Sequence, residues 1–156
     1  MPAPNTSTSR TRSSSSLART LAESGVFDLV YGHHAHVAQP WEQINGVWVV
    51  YGGGNLVGQM RVNTPRAWEQ YLARITFERR GDVPDGERPY AAAKAEYLPL
   101  LMTLSEPGKP ARVLDVNKSL ADGTGDTARL TTAKEQIAKA VRLLGAEGIE
   151  EIGAVR

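Results

Sequence analysis

The feature that most constrains this chain is a cluster of histidines directly after a short apolar segment. His33, His34 and His36 are the only histidines in 156 residues, and they lie within four residues of one another. The preceding residues 27–31 (Phe-Asp-Leu-Val-Tyr) have the composition of a buried strand. Open α/β sheets place their chemistry at the carboxyl ends of strands. We therefore expect the histidines in a functional loop at one end of a sheet.

A second apolar segment follows the histidines. Residues 47–51 (Val-Trp-Val-Val-Tyr) predict a strand, with a turn before it at Asn45-Gly46 and three glycines, 52–54, after it. The short connection predicts that the two strands are neighbours in one sheet. The glycines lack both a Lys-Ser/Thr ending and the GxGxxG spacing, so they favour a tight turn over a phosphate-binding loop.

Later segments predict further strands. Residues 71–79 alternate with period two, which places Tyr71, Ala73, Ile75 and Phe77 on one face. Residues 96–104 predict a strand, and Pro99 within them favours a position at the edge of a sheet. Residues 112–116 predict a short strand.

Two helices are predicted. Residues 17–25 favour a short helix capped by Ser15 or Ser16. A longer helix is predicted to start at Thr132, because Thr132 and Glu135 match a capping box. Its apolar residues share one face: Ala133, Ile137, Ala140, Val141 and Leu144.

Composition bounds the class of protein. The length suits one domain, with residues 1–16 predicted as a disordered Ser/Thr-rich tail and residues 17–156 as the folded part. A net charge of +1 argues against nucleic-acid binding, and the absence of cysteine excludes disulfides and thiolate ligands. The sequence contains neither a secretory signal nor an apolar stretch of about 20 residues that could span a membrane. The chain as written is thus expected in the cytoplasm.

The histidine spacing indicates a metal site, because neutral imidazole is the commonest metal ligand. In an extended loop, residues two apart point to the same side, so His34 and His36 are expected to face one ion while His33 points elsewhere or towards a substrate. The competing interpretation is a set of solvent-exposed loop histidines. Spacing and strand context favour the metal.

Two histidines alone leave a divalent ion short of ligands. Asp28, Glu42 and Asn55 are the nearby candidates for completing the site. Each has a simpler explanation: Asp28 as a polar residue at a strand entry, Glu42 as a solvated charge and Asn55 as a turn former. For Glu42 the simpler explanation is favoured, and for Asn55 the two are balanced.

Several of these residues together resemble a known family. Residues 28–37 (DLVYGHHAHV), Gln39-Pro40, Asn45-Gly46 and the strand end leading to Gly54-Asn55 resemble the CapA family, the poly-γ-glutamate capsule biosynthesis proteins related to calcineurin-like metallophosphoesterases. That family shows a GHHxHV…Q(P/G) motif, an NGK-type turn and a YSLGNF-like strand end. The resemblance is specific over residues 25–57 and weaker downstream, and the usual Ser-Leu is replaced by two glycines here.

The resemblance implies a fold and a site. It implies an α/β chain that forms the C-terminal part of a four-layer α/β/β/α metallophosphoesterase-like fold, with strands mostly in one sheet and flanking helices. It also implies that His34 and His36 are metal ligands for Mn, Zn or Fe, and that His33 is a catalytic residue that assists them.

The family's earlier blocks, namely a GD-type opening strand, an Asn-Leu-Glu block and an Asn-Asn-His block, do not occur in this sequence. We therefore expect a fragment that is incomplete as an enzyme and that need not bind the metal by itself. Its expected partners are a missing N-terminal half or a second copy, since a lost half leaves sheet edges and apolar faces uncovered. The alternative function is a non-catalytic module that binds metal or protein. Full-length relatives are often associated with the cell envelope.

Overall fold

The computed structural model describes residues 12–58 and 65–154. Within these ranges the chain forms seven β-strands, three α-helices and one short 3-10 helix. In chain order the elements are α1 (Arg12–Glu23), β1 (Leu29–Tyr31), β2 (Trp41–Ile44), β3 (Val47–Val50), the 3-10 helix (Pro65–Trp68), β4 (Glu69–Arg79), β5 (Tyr90–Met102), β6 (Val113–Asp115), α2 (Val116–Ala121), α3 (Thr127–Val141) and β7 (Ile149–Glu151).

The first three strands form sheet 1, in the order β1-β3-β2. β1 runs parallel to β3, with Val30 opposite Val49, whereas β2 and β3 form an antiparallel hairpin. Asn45 and Gly46 at the hairpin turn have φ values of 49° and 77°, as a two-residue type I′ turn requires. The predicted turn and the predicted adjacency of the strands flanking the histidines are both confirmed. β2, which lies between those strands in sequence, was not predicted.

β3 is buried on both faces, which explains its continuous apolar sequence. Val49 and Tyr51 pack with Ala18 and Ala22 of α1 in one apolar cluster. Trp48 lies on the opposite face, in the main core. The alternation of side chains along a strand produces this division.

Sheet 2 is built on the long antiparallel hairpin of β4 and β5, and its register runs from Glu69 opposite Leu101 to Arg79 opposite Tyr90. β6 pairs antiparallel and β7 parallel with the other edge of β5. The strand predicted over residues 71–79 is confirmed, and its burial declines from Tyr71 towards the exposed end of the hairpin.

The prediction that Pro99 marks an edge strand is wrong, because β5 is the central strand of sheet 2. Tyr71 lies opposite Pro99 and donates its N–H to the Gly53 carbonyl (2.8 Å), away from β5. In an antiparallel pair of this kind the two residues do not bond each other, so the Pro99 nitrogen also faces away from β4. On that side β7 pairs as far as Tyr97 and β6 begins at Leu100. Proline thus occupies a gap between two partner strands, where its missing N–H costs nothing.

α3 begins at Thr127, so the predicted start at Thr132 is wrong. Asp126 caps the helix, and its side chain accepts a hydrogen bond from the Arg129 N–H (3.0 Å). Thr132 lies inside the helix, where its hydroxyl donates to the Ala128 carbonyl (2.9 Å). Four residues of the predicted apolar face are confirmed as buried, namely Ala133, Ile137, Ala140 and Val141, whereas Leu144 lies beyond the end of the helix and is partly buried.

α1 also begins earlier than predicted, at Arg12 instead of after a cap at Ser15 or Ser16. Packing of its alanines against sheet 1 outweighs the modest helix propensity of the serines. Residues 1–11 of the predicted tail lie outside the described residues. No helix within the described ranges is long and apolar enough to span a membrane.

The two sheets meet through buried aromatic rings. The ring of Trp41 in β2 lies 6.0 Å from Trp48 and 5.8 Å from Tyr71 in β4, measured between centroids. The Tyr71 ring continues the contact to Tyr97 in β5, at 6.3 Å. The Tyr71 hydroxyl donates to the Gln39 carbonyl (2.9 Å), and burial raises the pKa of this phenol, so it stays neutral. One core therefore serves both sheets.

The structure confirms a mixed α/β fold. The strands, predicted to lie mostly in one sheet, divide within the described residues into a three-stranded and a four-stranded sheet. The reason lies in the glycines after β3: Gly54 has a φ of 102°, which an extended strand does not accommodate. The chain consequently leaves sheet 1 there and meets β4.

Candidate functional site

The histidine loop begins where β1 ends. Gly32 donates its N–H to the Val50 carbonyl (2.7 Å), which extends the parallel pairing of β1 with β3. A Cβ on Gly32 would lie only 2.7 Å from the carbonyl oxygen of Tyr51. Glycine is therefore required for the loop to leave β1 beside β3.

His34 and His36 lie side by side. Their ring centroids are 5.5 Å apart and their planes are inclined by 54°. Both residues have positive φ values, 83° and 60°, which side-chain-bearing residues seldom adopt. The extended conformation predicted for this loop is therefore wrong, although the two rings do lie close together.

Asn55 joins the histidine loop to the rest of the protein. Its Oδ1 makes a short contact with Nδ1 of His36. Its Nδ2 donates to the His36 carbonyl (3.2 Å) and to the Ala67 carbonyl (3.1 Å). We refer to His34, His36 and Asn55 as the histidine corner. Asn55, which sequence reasoning left between a ligand and a turn former, orients His36.

The glycine run brings Asn55 into place. A Cβ on Gly53 would lie 2.6 Å from the Tyr71 carbonyl oxygen, and one on Gly54 would lie 2.6 Å from the Gln70 Cβ. Gly53 also accepts a hydrogen bond from the Tyr71 N–H. The run therefore allows the strand end to approach β4 closely, in line with the turn that the sequence favoured.

His33 faces a different environment. Its ring contacts Tyr31, at 6.4 Å between centroids, and the residue is exposed. It borders a cavity of about 180 Å³ between α1 and sheet 1, with Leu17, Leu21 and Val30 among the other lining residues. Its predicted catalytic role stays a prediction.

The two candidate carboxylates have other partners. Glu42 accepts a hydrogen bond from the Tyr51 hydroxyl (2.5 Å). Asp28 lies 3.8 Å from the Arg88 guanidinium, which also donates to the Phe27 carbonyl. These contacts hold β2 to β3 and anchor the start of β1 to the β4–β5 loop, so both side chains have structural roles.

The donor set fits part of a metal site. Two imidazoles suit Zn, Mn or Fe, but a catalytic zinc centre takes three protein ligands. Across residues 12–58 and 65–154, no group of three or more His, Cys, Asp or Glu side chains is arranged to hold a metal ion. Within the described residues the histidine corner therefore offers two imidazoles, one ligand fewer than a catalytic zinc centre takes.

The contacts that hold the other end of the Asn55 hydrogen bonds, in the 3-10 helix, were not predicted from the sequence. Ala67, which accepts the Asn55 amide, lies in the 3-10 helix. Next to it, the fully buried Glu69 carboxylate lies 3.0 Å from Arg66 and accepts a hydrogen bond from Arg129 of α3 (2.8 Å). A buried carboxylate with two cationic partners fixes the 3-10 helix against α3. No local motif in Pro65–Trp68 signals this contact.

A comparison with protein families matches the part of the chain that contains the histidine corner. Residues 3–60 match the family model described as bacterial capsule synthesis protein PGA_cap. The chain resembles capsule synthesis proteins. This match includes the histidine motif and the Asn55 strand end, and it confirms the family resemblance that those residues indicated. It covers less than half of the chain, and sheet 2 lies beyond it. No curated protein matches the chain.

Proposed function

We propose that this chain acts in bacterial capsule synthesis, with poly-γ-glutamate as the polymer, and that His34 and His36 bind a divalent metal. The observation that supports the metal is the 5.5 Å separation of the two imidazoles, inside the segment that matches the capsule family. We also propose the four-layer α/β/β/α arrangement of metallophosphoesterase-like folds, which the family resemblance implies.

The proposed metal ion would determine the chemistry of the site. A divalent ion at the histidine corner would supply Lewis-acid polarisation of a phosphoryl or related oxygen. His33, exposed on the same loop, would contact the substrate and transfer a proton. Further ligands would come from residues outside those described or from another chain, since two histidines alone leave a divalent ion short of ligands.

Isothermal titration with Zn²⁺ or Mn²⁺ tests the metal site. His34→Ala and His36→Ala should each lower affinity by about ten-fold or more, because each removes a ligand. His33→Ala is the matched control from the same loop, and it should retain the affinity since its ring packs on Tyr31. Unchanged affinity in both ligand variants would contradict the proposal.

An assay with a generic phosphodiester and added Mn²⁺ tests whether the chain by itself has phosphoesterase activity. We expect no turnover above background, because two histidine ligands do not form the two-metal clamp that in-line displacement requires. Robust turnover that His36→Ala abolishes would show a complete site instead.

A specific observation supports the alternative of a protein-binding module. β1 lies at an edge of sheet 1, and exposed apolar side chains accompany it: Val26, Phe27 and Tyr31 are 73%, 42% and 52% exposed. Strand edges of this kind pair with other chains. Sedimentation analysis should then show association that Tyr31→Lys weakens, while metal affinity is unchanged.

A further inference from the structure

The orientation of the Asn55 amide follows from its neighbours. Two carbonyl oxygens, those of His36 and Ala67, lie 3.2 and 3.1 Å from one end of the amide. Carbonyl oxygens only accept hydrogen bonds, so that end must be the NH₂ group. The Oδ1 atom consequently faces Nδ1 of His36.

This orientation fixes the proton on His36. An amide oxygen carries no hydrogen, so Nδ1 of His36 must be the donor. A neutral imidazole protonated at Nδ1 keeps its lone pair on Nε2. Nε2 is then the atom of this ring that can bind a cation.

The same amide supports the backbone that carries the ring. His36 has a φ of 60°, a conformation that costs free energy in a residue with a side chain. The hydrogen bond from Asn55 to the His36 carbonyl stabilises this conformation, and the bond to Ala67 ties it to the 3-10 helix. One side chain therefore sets both the direction of the ring and the position of its proton.

We propose that Asn55 is a positioning residue that holds His36 as the Nδ1–H tautomer, with the Nε2 lone pair directed to a ligand. The inference deepens the proposed function and rests on it for its purpose, since the tautomer matters for binding only if His36 is a ligand. Metal-binding histidines commonly donate their second nitrogen to an outer acceptor, and Asn55 supplies that acceptor.

The first test needs no metal. Long-range ¹H–¹⁵N spectra of the wild-type protein, recorded at about pH 9 where imidazole is generally neutral, report the protonated nitrogen of each ring. We expect a protonated Nδ1 and a bare Nε2 for His36. With only three histidines in the chain, single His→Ala variants assign the signals. A protonated Nε2 on His36 would overturn the inference, whether or not the protein binds metal.

Variants of Asn55 then test its acceptor role, through Oδ1, separately from its donor role, through Nδ2. Asn55→Ala should release the ring and populate the Nε2–H tautomer, whereas Asn55→Asp keeps an acceptor and should retain Nδ1–H. Asn117→Ala is the matched control, because Asn117 is a buried asparagine of α2 that also donates twice through Nδ2, to Glu151 and Ile152. It should destabilise the fold without changing the His36 spectrum. If Asn55→Ala keeps the wild-type tautomer, the inference is wrong.

Zn²⁺ titration gives the functional consequence. Asn55→Ala should lower affinity by about 10- to 100-fold, the range observed when an outer acceptor is removed, and Asn117→Ala should leave it unchanged. Wild-type protein that shows the expected tautomer but binds no Zn²⁺ would contradict the proposed metal site and still support the role of Asn55. Equal affinity in wild-type and Asn55→Ala would show that the amide does not prepare the ligand.

Discussion

Sheet 1 with the histidine corner and sheet 2 with its helices differ in the regularity of their backbones. Sheet 1 has strands of three or four residues, and the residues that follow them include His34, His36 and Leu56 at positive φ. Sheet 2 contains strands of 11 and 13 residues that pair with each other with one register shift, between Thr76 and Phe77. The irregular region carries the family motif, and the regular region supports it. Among the described residues, positive φ values outside glycine are thus concentrated in and beside the histidine corner.

The two regions also differ in their polar contacts. In sheet 2 the Glu151 carboxylate accepts hydrogen bonds from Tyr97 and Asn117 and pairs with Lys134. Burial raises the pKa of Tyr97 to about 12. Burial also acts to raise the pKa of Glu151, but the hydrogen bonds to this carboxylate outweigh burial, so the pKa of Glu151 is lowered. Both oxygens of the Glu151 carboxylate thus accept hydrogen bonds from sheet 2 and its helices, whereas the hydrogen bond of the His36 ring uses Nδ1.

The largest expected effect concerns the contact between the sheets. Trp41→Ala should lower the free energy of unfolding by about 3–5 kcal/mol, because it empties a fully buried site that touches Trp48 and Tyr71. Urea denaturation followed by circular dichroism measures it. Tyr90→Ala, at a 49% exposed position of β5, should cost under about 1 kcal/mol. Two separate transitions in Trp41→Ala would show that the regions fold independently.

A smaller effect is expected where the glycine run meets β4. Gly54→Ala forces a Cβ to 2.6 Å from that of Gln70 at a φ of 102°, so we expect a loss of about 1–3 kcal/mol. Displacement of the adjacent Asn55 should also weaken Zn²⁺ binding. Gly153→Ala is the control, since its Cβ would meet nothing within 4 Å, and a change within about 0.5 kcal/mol is expected. Full Zn²⁺ affinity in Gly54→Ala would separate the glycine run from the histidine corner.

Local periodicity accounts for what the sequence predicts well. β1, β3, the Asn45-Gly46 turn and the buried face of α3 follow from apolar spacing and turn chemistry, all of which act over a few residues. These features need no knowledge of distant parts of the chain.

The features that were not predicted depend on contacts with residues far away in the sequence. Pro99 lies in a central strand because β6 and β7 leave a gap opposite it, and β7 comes only after two further helices in the chain. Asn55 becomes a positioning residue only once Ala67 and His36 lie on either side of its amide. The start of α3 at Thr127, after the cap Asp126, shows a related limit, since Leu130 in its first turn packs with Leu101 and Val116 from other elements.

The smallest expected effect is a pH dependence confined to sheet 2. The Arg74 guanidinium donates two hydrogen bonds to the Glu96 carboxylate, at 2.7 and 2.8 Å, and Lys94 lies 2.8 Å away. These partners, Arg74 first, hold the pKa of Glu96 at about 2, below its ordinary value of 4.5. The folded state therefore binds this proton less tightly than the unfolded state, and the cluster stabilises the fold above the ordinary carboxyl range. That contribution is lost as pH falls towards about 2.

Glu96→Gln should accordingly be less stable than wild type at neutral pH, and the difference should close between about pH 4.5 and 2. Chemical denaturation across this range measures it. Arg79→Met, at the exposed end of β4, is the control and should parallel wild type throughout. A constant difference between Glu96→Gln and wild type would mean that the carboxylate contributes through packing alone. Unchanged Zn²⁺ affinity in Glu96→Gln is also expected, because the contacts of Glu96 lie within sheet 2, and a change would show that the two regions are coupled beyond their shared core.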